Sequence, residues 1–176
     1  MTAVTGGAPL PRLSLDWPEG AERAELLTRE WLVTNGRGGY ASGTVAGCNT
    51  RRYHALFIPN LENKGRVVRL ARLDEEASVR GQRYRLAEEE RADGSRVEGG
   101  ARWLRGFHLE GLVPHWRYQV GEACFQRKLA LVQGEDTLVM VWEHLSGPEV
   151  GLRLRPFPTL RPQDDAFPAT PLEPSV

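Results

Sequence analysis

The chain has 176 residues, 23 basic and 23 acidic side chains, and a hydrophobic fraction of 40%. That length bounds a single domain able to bury roughly two thirds of its unfolded surface, and the composition fits a packed core rather than a disordered chain. Zero formal net charge excludes a dedicated nucleic-acid binder, which carries a basic excess against phosphate, and a polybasic membrane-surface protein.

Residues 1–20 hold Gly6, Gly7, Pro9, Pro11 and Pro18 with little periodic hydrophobicity, and read as a flexible lead-in. The opening MTAVTGGAPLPRL lacks the basic and apolar regions of a secretory signal. No run approaches the 18 apolar residues of a membrane span. Cys48 and Cys124 lie far apart and form no C-x-x-C pair, so neither zinc nor a disulfide framework is indicated and a reducing cytoplasm is the default. Glu22 to Leu27 suits a short helical turn and Trp31-Leu32-Val33 a strand.

From Asn35 to Gly47 the chain is rich in small residues, with Gly36, Gly38, Gly39, Gly43 and Gly47. Glycine at this density means tight turns or close backbone approach. The spacing fits neither phosphate-loop pattern. Tyr53 to Ile58 reads as a central strand with apolar groups on both faces. Val67 to Leu70 is a shorter strand, and Ser78-Val79-Arg80 pairs with Arg83 to Leu86 across Gly81-Gln82. Residues 87–100 are charged and Gly-rich, and read as a surface loop.

The last third alternates most clearly. His115 to Val120 places Trp116, Tyr118 and Val120 on one face. Ala123 to Val132 turns Phe125, Leu129 and Leu131 inward and Gln126 and Lys128 outward. Thr137 to Leu145 is nearly all apolar, the pattern of a strand buried on both faces. Val150, Leu152 and Leu154 alternate again. Short turns join these four strands, which predicts an antiparallel meander in an all-β domain. Six of the twelve prolines fall between 156 and 176. Residues 162–176 therefore read as a Pro-rich disordered tail, which leaves 21–161 as the folded domain.

The segment from Glu30 to Leu56 carries W-L-V-T-N-G-R-G-G-Y-A-S-G-T over Trp31 to Thr44, then N-T-R-R-Y-H-A-L over Asn49 to Leu56. It closely resembles the opening signature of the amino-terminal domain of bacterial and archaeal glycogen debranching enzymes, the amylo-α-1,6-glucosidase family. Leu152 to Phe157 also resembles that family, and the resemblance runs from about residue 28 to 161. Two departures stand out. Ala55 follows His54 where the family has Gly, and Arg161-Pro162-Gln163-Asp164-Asp165 stands where the family has an R-D-x-H-like stretch.

The resemblance implies an all-β fold, an antiparallel β supersandwich of the galactose-mutarotase-like kind, incomplete at its C-terminal edge. It implies a domain that orients glucan and docks on a catalytic (α/α)6 barrel, in cis in the family and in trans here. It implies a glycoside hydrolase system acting on α-1,6-linked branches, with the catalytic carboxylates in the barrel. This chain, lacking that barrel, is expected to be non-catalytic, without cofactor or metal. Its expected partners are α-glucan (glycogen or a maltooligosaccharide) and the barrel, with no nucleic acid and no membrane. The alternative is a purely structural, protein-interacting sandwich without glucan affinity.

Arg51, Arg52, Tyr53 and His54 are the leading contact residues. On a strand, Arg51 and Tyr53 share one face and Arg52 and His54 the other. Tyr stacks on a sugar ring with its hydroxyl wet, and Arg offers five donors to hydroxyl or carboxylate oxygens. The same strand serves equally as a barrel interface. Asn35, Tyr40, Asn49 and Thr50 can bond sugar hydroxyls and are also ordinary turn residues. His54, His108, His115 and His144 look scattered, without a metal-binding motif. The runs Asp74-Glu75-Glu76 and Glu88-Glu89-Glu90 read as solvated loops. Among the tryptophans, Trp103 is the freest to stack on a sugar, and Trp142 reads as core.

Overall fold

The computed structural model describes residues 12–16, 23–90, 96–97 and 99–165. In chain order the elements are β1 (Arg12–Asp16), α1 (Arg23–Thr28), β2 (Glu30–Thr34), β3 (Tyr40–Thr44), β4 (Ala55–Ile58), β5 (Asn60–Leu61), β6 (Gly65–Val79) and β7 (Gln82–Arg85). Then follow β8 (Glu89–Glu90), β9 (Arg96–Val97), a 3-10 turn (Gly100–Trp103), β10 (Leu104–Glu110), β11 (Val113–Val120), β12 (Ala123–Leu131), β13 (Leu138–Ser146) and β14 (Gly151–Pro162).

Two antiparallel sheets carry the fold, as an all-β sandwich requires. The first has the order β1-β10-β11-β12-β13, the second β14-β6-β4-β3-β2, with β5 and β7 also paired to β6. Period-two alternation aims one face of each sheet at the other. Trp31 and Val33 of β2, Ala41 of β3 and Ala77 and Val79 of β6 thus meet Phe107, Trp116, Tyr118, Phe125 and Leu129 in one core. Trp116 is fully buried. Trp31 and Phe107 both meet it edge-on, with centroids 5.1 and 5.3 Å away. Its indole N–H donates to the Val45 carbonyl at 3.0 Å, so the one polar atom of the ring is satisfied. Burying such a side chain contributes about 2–3 kcal/mol.

The meander holds for β11, β12 and β13, which are consecutive neighbours, and fails for the fourth strand. β14 leaves the first sheet and pairs along β6 of the second, from Gly151 opposite Ser78 to Pro162 opposite Val67. The intervening turn sits tight against the β11–β12 turn. Gly147 has φ +86°, and a Cβ there would lie 2.1 Å from the Glu122 carbonyl oxygen. β13 is consequently an edge strand, not a doubly buried one. Leu138 and Met140 pack inward, while Val139 and Val141 are 41% and 45% exposed. An apolar run reports hydrophobicity, not position in a sheet.

Four further expectations change. Arg12–Asp16, inside the stretch read as lead-in, pairs with β10. The two short pieces at Val67 and Ser78 are the ends of one fifteen-residue strand, β6. Its hairpin to β7 turns on Arg80 and Gly81, both at positive φ, one residue earlier than the Gly81-Gln82 turn expected. The prolines near the C-terminus do not stop the sheet before residue 162. Pro156, Pro158 and Pro162 are accommodated because β14 is an edge strand, where a missing N–H can face outward. A turn closes residues 163–165. The remainder of the expected tail lies outside the described residues.

Candidate functional site

The glycine-rich loop between β2 and β3 is built around Asn35. Its Oδ1 accepts from the backbone N–H groups of Arg37 (2.9 Å) and Gly39 (3.0 Å). Its Nδ2 donates to the Glu135 carbonyl and to Asp136 Oδ1, both at 2.9 Å. Asn35 is fully buried. It staples the loop to the β12–β13 turn of the other sheet and presents nothing to solvent, so the expected sugar contact is replaced by a packing role. Gly39 is required here, because a Cβ would lie 2.8 Å from Asn35 Nδ2. Asn49 also turns inward, donating to the Ala71 carbonyl at 2.9 Å.

The residues expected on one strand from Arg51 to His54 form a turn instead, and β4 begins only at Ala55. The two-face assignment therefore does not apply. His54 N–H donates to the Arg51 carbonyl at 3.0 Å, and His54 Nδ1 accepts from the Thr50 N–H at 3.1 Å. The hydroxyls of Ser42 and Tyr40 donate to the Tyr53 carbonyl at 3.0 and 3.2 Å. Arg161 donates to the Arg52 carbonyl at 3.2 Å, and Arg52 to that of Asp164 at 2.9 Å. With the turn's backbone so occupied, the Tyr53 ring stands 44% exposed and Arg51 points outward.

Between this turn, the outward face of β2 and the glycine loop lies an open groove of about 750 Å³. Of the expected residues, Tyr40, Arg51, Tyr53 and His54 line it together. Arg52 lies beside it, its guanidinium 5.4 Å from the Tyr53 ring centre. Sequence reasoning missed Glu30, Leu32 and Arg66. Glu30 and Leu32 alternate outward on β2 with buried Trp31 and Val33, a period-two signal present in the sequence. Arg66 arrives from the distant start of β6, donates to the Gly38 carbonyl at 2.8 Å and lies 5.7 Å from the Tyr40 ring centre.

Glu30 is the carboxylate of the groove lining. Its Oε1 lies 2.5 Å from Arg51 Nε and 3.5 Å from His54 Nε2. Burial pushes the His54 pKa below its ordinary value; Glu30 pulls it up and Arg51 pushes it further down. The ring is therefore neutral near pH 7, with Nδ1 accepting from Thr50 and Nε2–H directed at Glu30. Burial raises the Tyr40 hydroxyl, and Arg66 partly offsets this. The lining includes the Tyr40 and Tyr53 rings, the Arg51 and Arg66 guanidinium groups and the neutral His54 imidazole, which suits stacking and hydrogen bonding to polyhydroxyl surfaces. Glycoside hydrolysis uses a pair of carboxyl groups at a set separation. Among the described residues that line the groove, the one carboxylate, Glu30, is held by Arg51.

The other candidates lie elsewhere. Trp103 packs edge-on against Tyr84 at 5.1 Å and is not free to stack. Trp142, on edge strand β13, is half-buried and donates to Glu75 Oε1 at 3.0 Å. Glu75 is not a solvated loop residue but sits in β6, 2% exposed and paired with Arg127. Glu88 is likewise buried. His108 and His115 are not scattered: they face one another across β10 and β11.

A family model described as glycogen debranching enzyme N terminal matches residues 29–174. No curated protein and no solved structure matches the chain. The match spans well over half of the chain and takes in the β2–β3 loop, the Arg51–His54 turn and every strand after β1. The chain belongs to the glycogen debranching enzyme N-terminal domain family.

Proposed function

We propose that the groove holds an α-glucan chain, glycogen or a maltooligosaccharide, and orients it for a catalytic (α/α)6 barrel docked on the same face, in cis or in trans. The observation that carries this reading is the convergence of Tyr40, Tyr53, Arg51 and Arg66 on one open groove of about 750 Å³. A sugar ring presents an apolar face for an aromatic ring and hydroxyl oxygens for a guanidinium. The Arg51–Glu30 pair fixes a donor that would otherwise be rotationally free. We also infer that the two sheets are part of a galactose-mutarotase-like supersandwich. The proposed setting is a reducing cytoplasm, where Cys48 and Cys124 stay as free thiols.

The test is native-gel retardation of the folded chain by glycogen. Specific retardation, lost in Tyr53→Ala with the fold intact, supports the reading. One observation favours a second reading: Leu32, 60% exposed, projects apolar surface into the same lining. A folded chain that glycogen does not slow, yet that a debranching barrel stabilises, would make the groove a protein interface.

A further inference from the structure

The outward face of the β10–β11 hairpin gathers two imidazoles and a carboxylate, far in sequence from the groove. His108 and Glu110 are two residues apart on β10 and so share a face. His115 of β11 stands directly opposite His108. The two rings stack with centroids 4.3 Å apart and planes 28° from parallel. His115 Nε2 lies 3.7 Å from Glu110 Oε2. One ligand atom from each of the three residues falls within 4.8 Å of the others. A tetrahedral ion holding N and O donors at about 2.0–2.1 Å sets them roughly 3.3 Å apart. The closing movement is thus on the order of 1 Å, and Glu110 is exposed and can swing to make it.

His115 is 6% exposed, so its surroundings hold the ring in place, with Nε2 the nitrogen turned toward Glu110. The neighbouring cations are already engaged. Lys128 lies 2.7 Å from Glu143, Arg117 3.5 Å from Asp16, and Arg12 Nε donates to Ser14 Oγ at 3.1 Å.

We propose that His108, Glu110 and His115 bind a divalent transition-metal ion of the zinc class. Imidazole donors favour zinc, copper or nickel over magnesium and calcium, which take oxygen. Two imidazoles and one carboxylate leave a tetrahedral ion one position for solvent. The ion clips the two arms of a single hairpin, so its binding raises the stability of the first sheet.

The test is titration of the untagged, chelator-treated chain with Zn(II) by calorimetry and with Co(II) by visible absorption. One equivalent is expected to bind, with a rise in Tm and with cobalt d–d bands free of the sulfur charge-transfer band that Cys124 would give. His108→Ala and Glu110→Gln, at half-buried and exposed positions, are expected to weaken binding at least ~10-fold. His144→Ala, on a different strand, keeps the wild-type affinity. His115→Ala is read only if it folds. Absence of saturable binding, or wild-type affinity in His108→Ala, overturns the assignment.

Discussion

The Glu75 carboxylate and the Arg127 guanidinium meet in the middle of the sandwich, one from each sheet, at 2% and 5% exposure. Trp142 donates to the other carboxylate oxygen, and Arg127 lies 3.9 Å from the Trp116 ring centre. Burial alone would lower the Arg127 pKa; the charge of Glu75 and its hydrogen bond outweigh it, so Arg127 stays charged. The adjacent Tyr118 hydroxyl is pushed up to about 12 by burial.

Removing one partner strands the other as a buried charge. Glu75→Leu or Arg127→Met is expected to cost about 3–5 kcal/mol in urea unfolding. The double variant is expected to lose much less, because a fully apolar pair removes the desolvation penalty along with the attraction. A double variant as unstable as the sum of the singles would show that the pair does not behave as one unit.

Asn35→Ala deletes two accepted and two donated hydrogen bonds and leaves the Gly39 N–H buried without its acceptor. The expected cost is about 2–3 kcal/mol, with the lowest Tm among single changes in the β2–β3 loop. Glycogen retardation should fall with it, because the loop forms one wall of the groove. Unchanged stability would remove Asn35 from its role as the staple.

Tyr53→Ala and Arg51→Ala change exposed side chains whose backbone is fixed by other residues. Stability should change by only about 0.5 kcal/mol. If the groove carries glucan, the apparent glycogen affinity in gels should fall roughly 10-fold in each, equivalent to about 1.4 kcal/mol. Tyr40→Phe separates ring from hydroxyl. It keeps the face toward the groove, loses the bond to the Tyr53 carbonyl, and should loosen the turn more than it weakens stacking.

His54 carries a pH dependence with a definite sign. Its folded pKa lies below the ordinary value near 6.5, chiefly through burial. Between the two values the unfolded chain binds the proton and the folded chain does not, so stability falls as pH drops. The contribution is complete above about 6.5 and is lost as pH falls through the folded pKa. Protonation would also break the acceptor bond from the Thr50 N–H. The Tm of the wild type should fall more between about pH 7.5 and about pH 5 than that of His54→Gln. His108 and His115 shift in the same direction and are present in both proteins, so the difference isolates His54.

Strand identity was legible wherever alternation met a short turn, as in β11 and β12, and the Asn35–His54 segment named the family. Sheet membership was not. Period two says which residues share a face but not which strand lies alongside, so β14 looked like the next member of a meander. Arg127 occupies an inward position between Phe125 and Leu129, a placement the pattern does show but charge argues against until Glu75 is seen opposite. The Arg51–His54 turn looked like strand because Tyr53 and His54 run without a break into Ala55–Ile58. The groove was half legible: Tyr40, Arg51, Tyr53 and His54 lie close in sequence, whereas Arg66 joins them through the start of β6, paired with Asn60 of β5. The facing of His108 and His115 follows from the β10–β11 register, which depends on recognising Gly111-Leu112 as the hairpin turn.

β6 gives the chain a particular timetable during synthesis. Its β7 hairpin can close as soon as residue 85 has emerged, but its long flank waits for β14, whose Pro162 pairs with Val67. Until residue 127 emerges Glu75 has no Arg127, and until β14 follows the strand presents unpaired amides to the crowded exit of the ribosome. Closure of the second sheet by so late a partner is a slow, non-local event. Yield in the cell should therefore respond to chaperone supply and to translation speed between residues 86 and 162 more strongly than to anything that alters the finished fold.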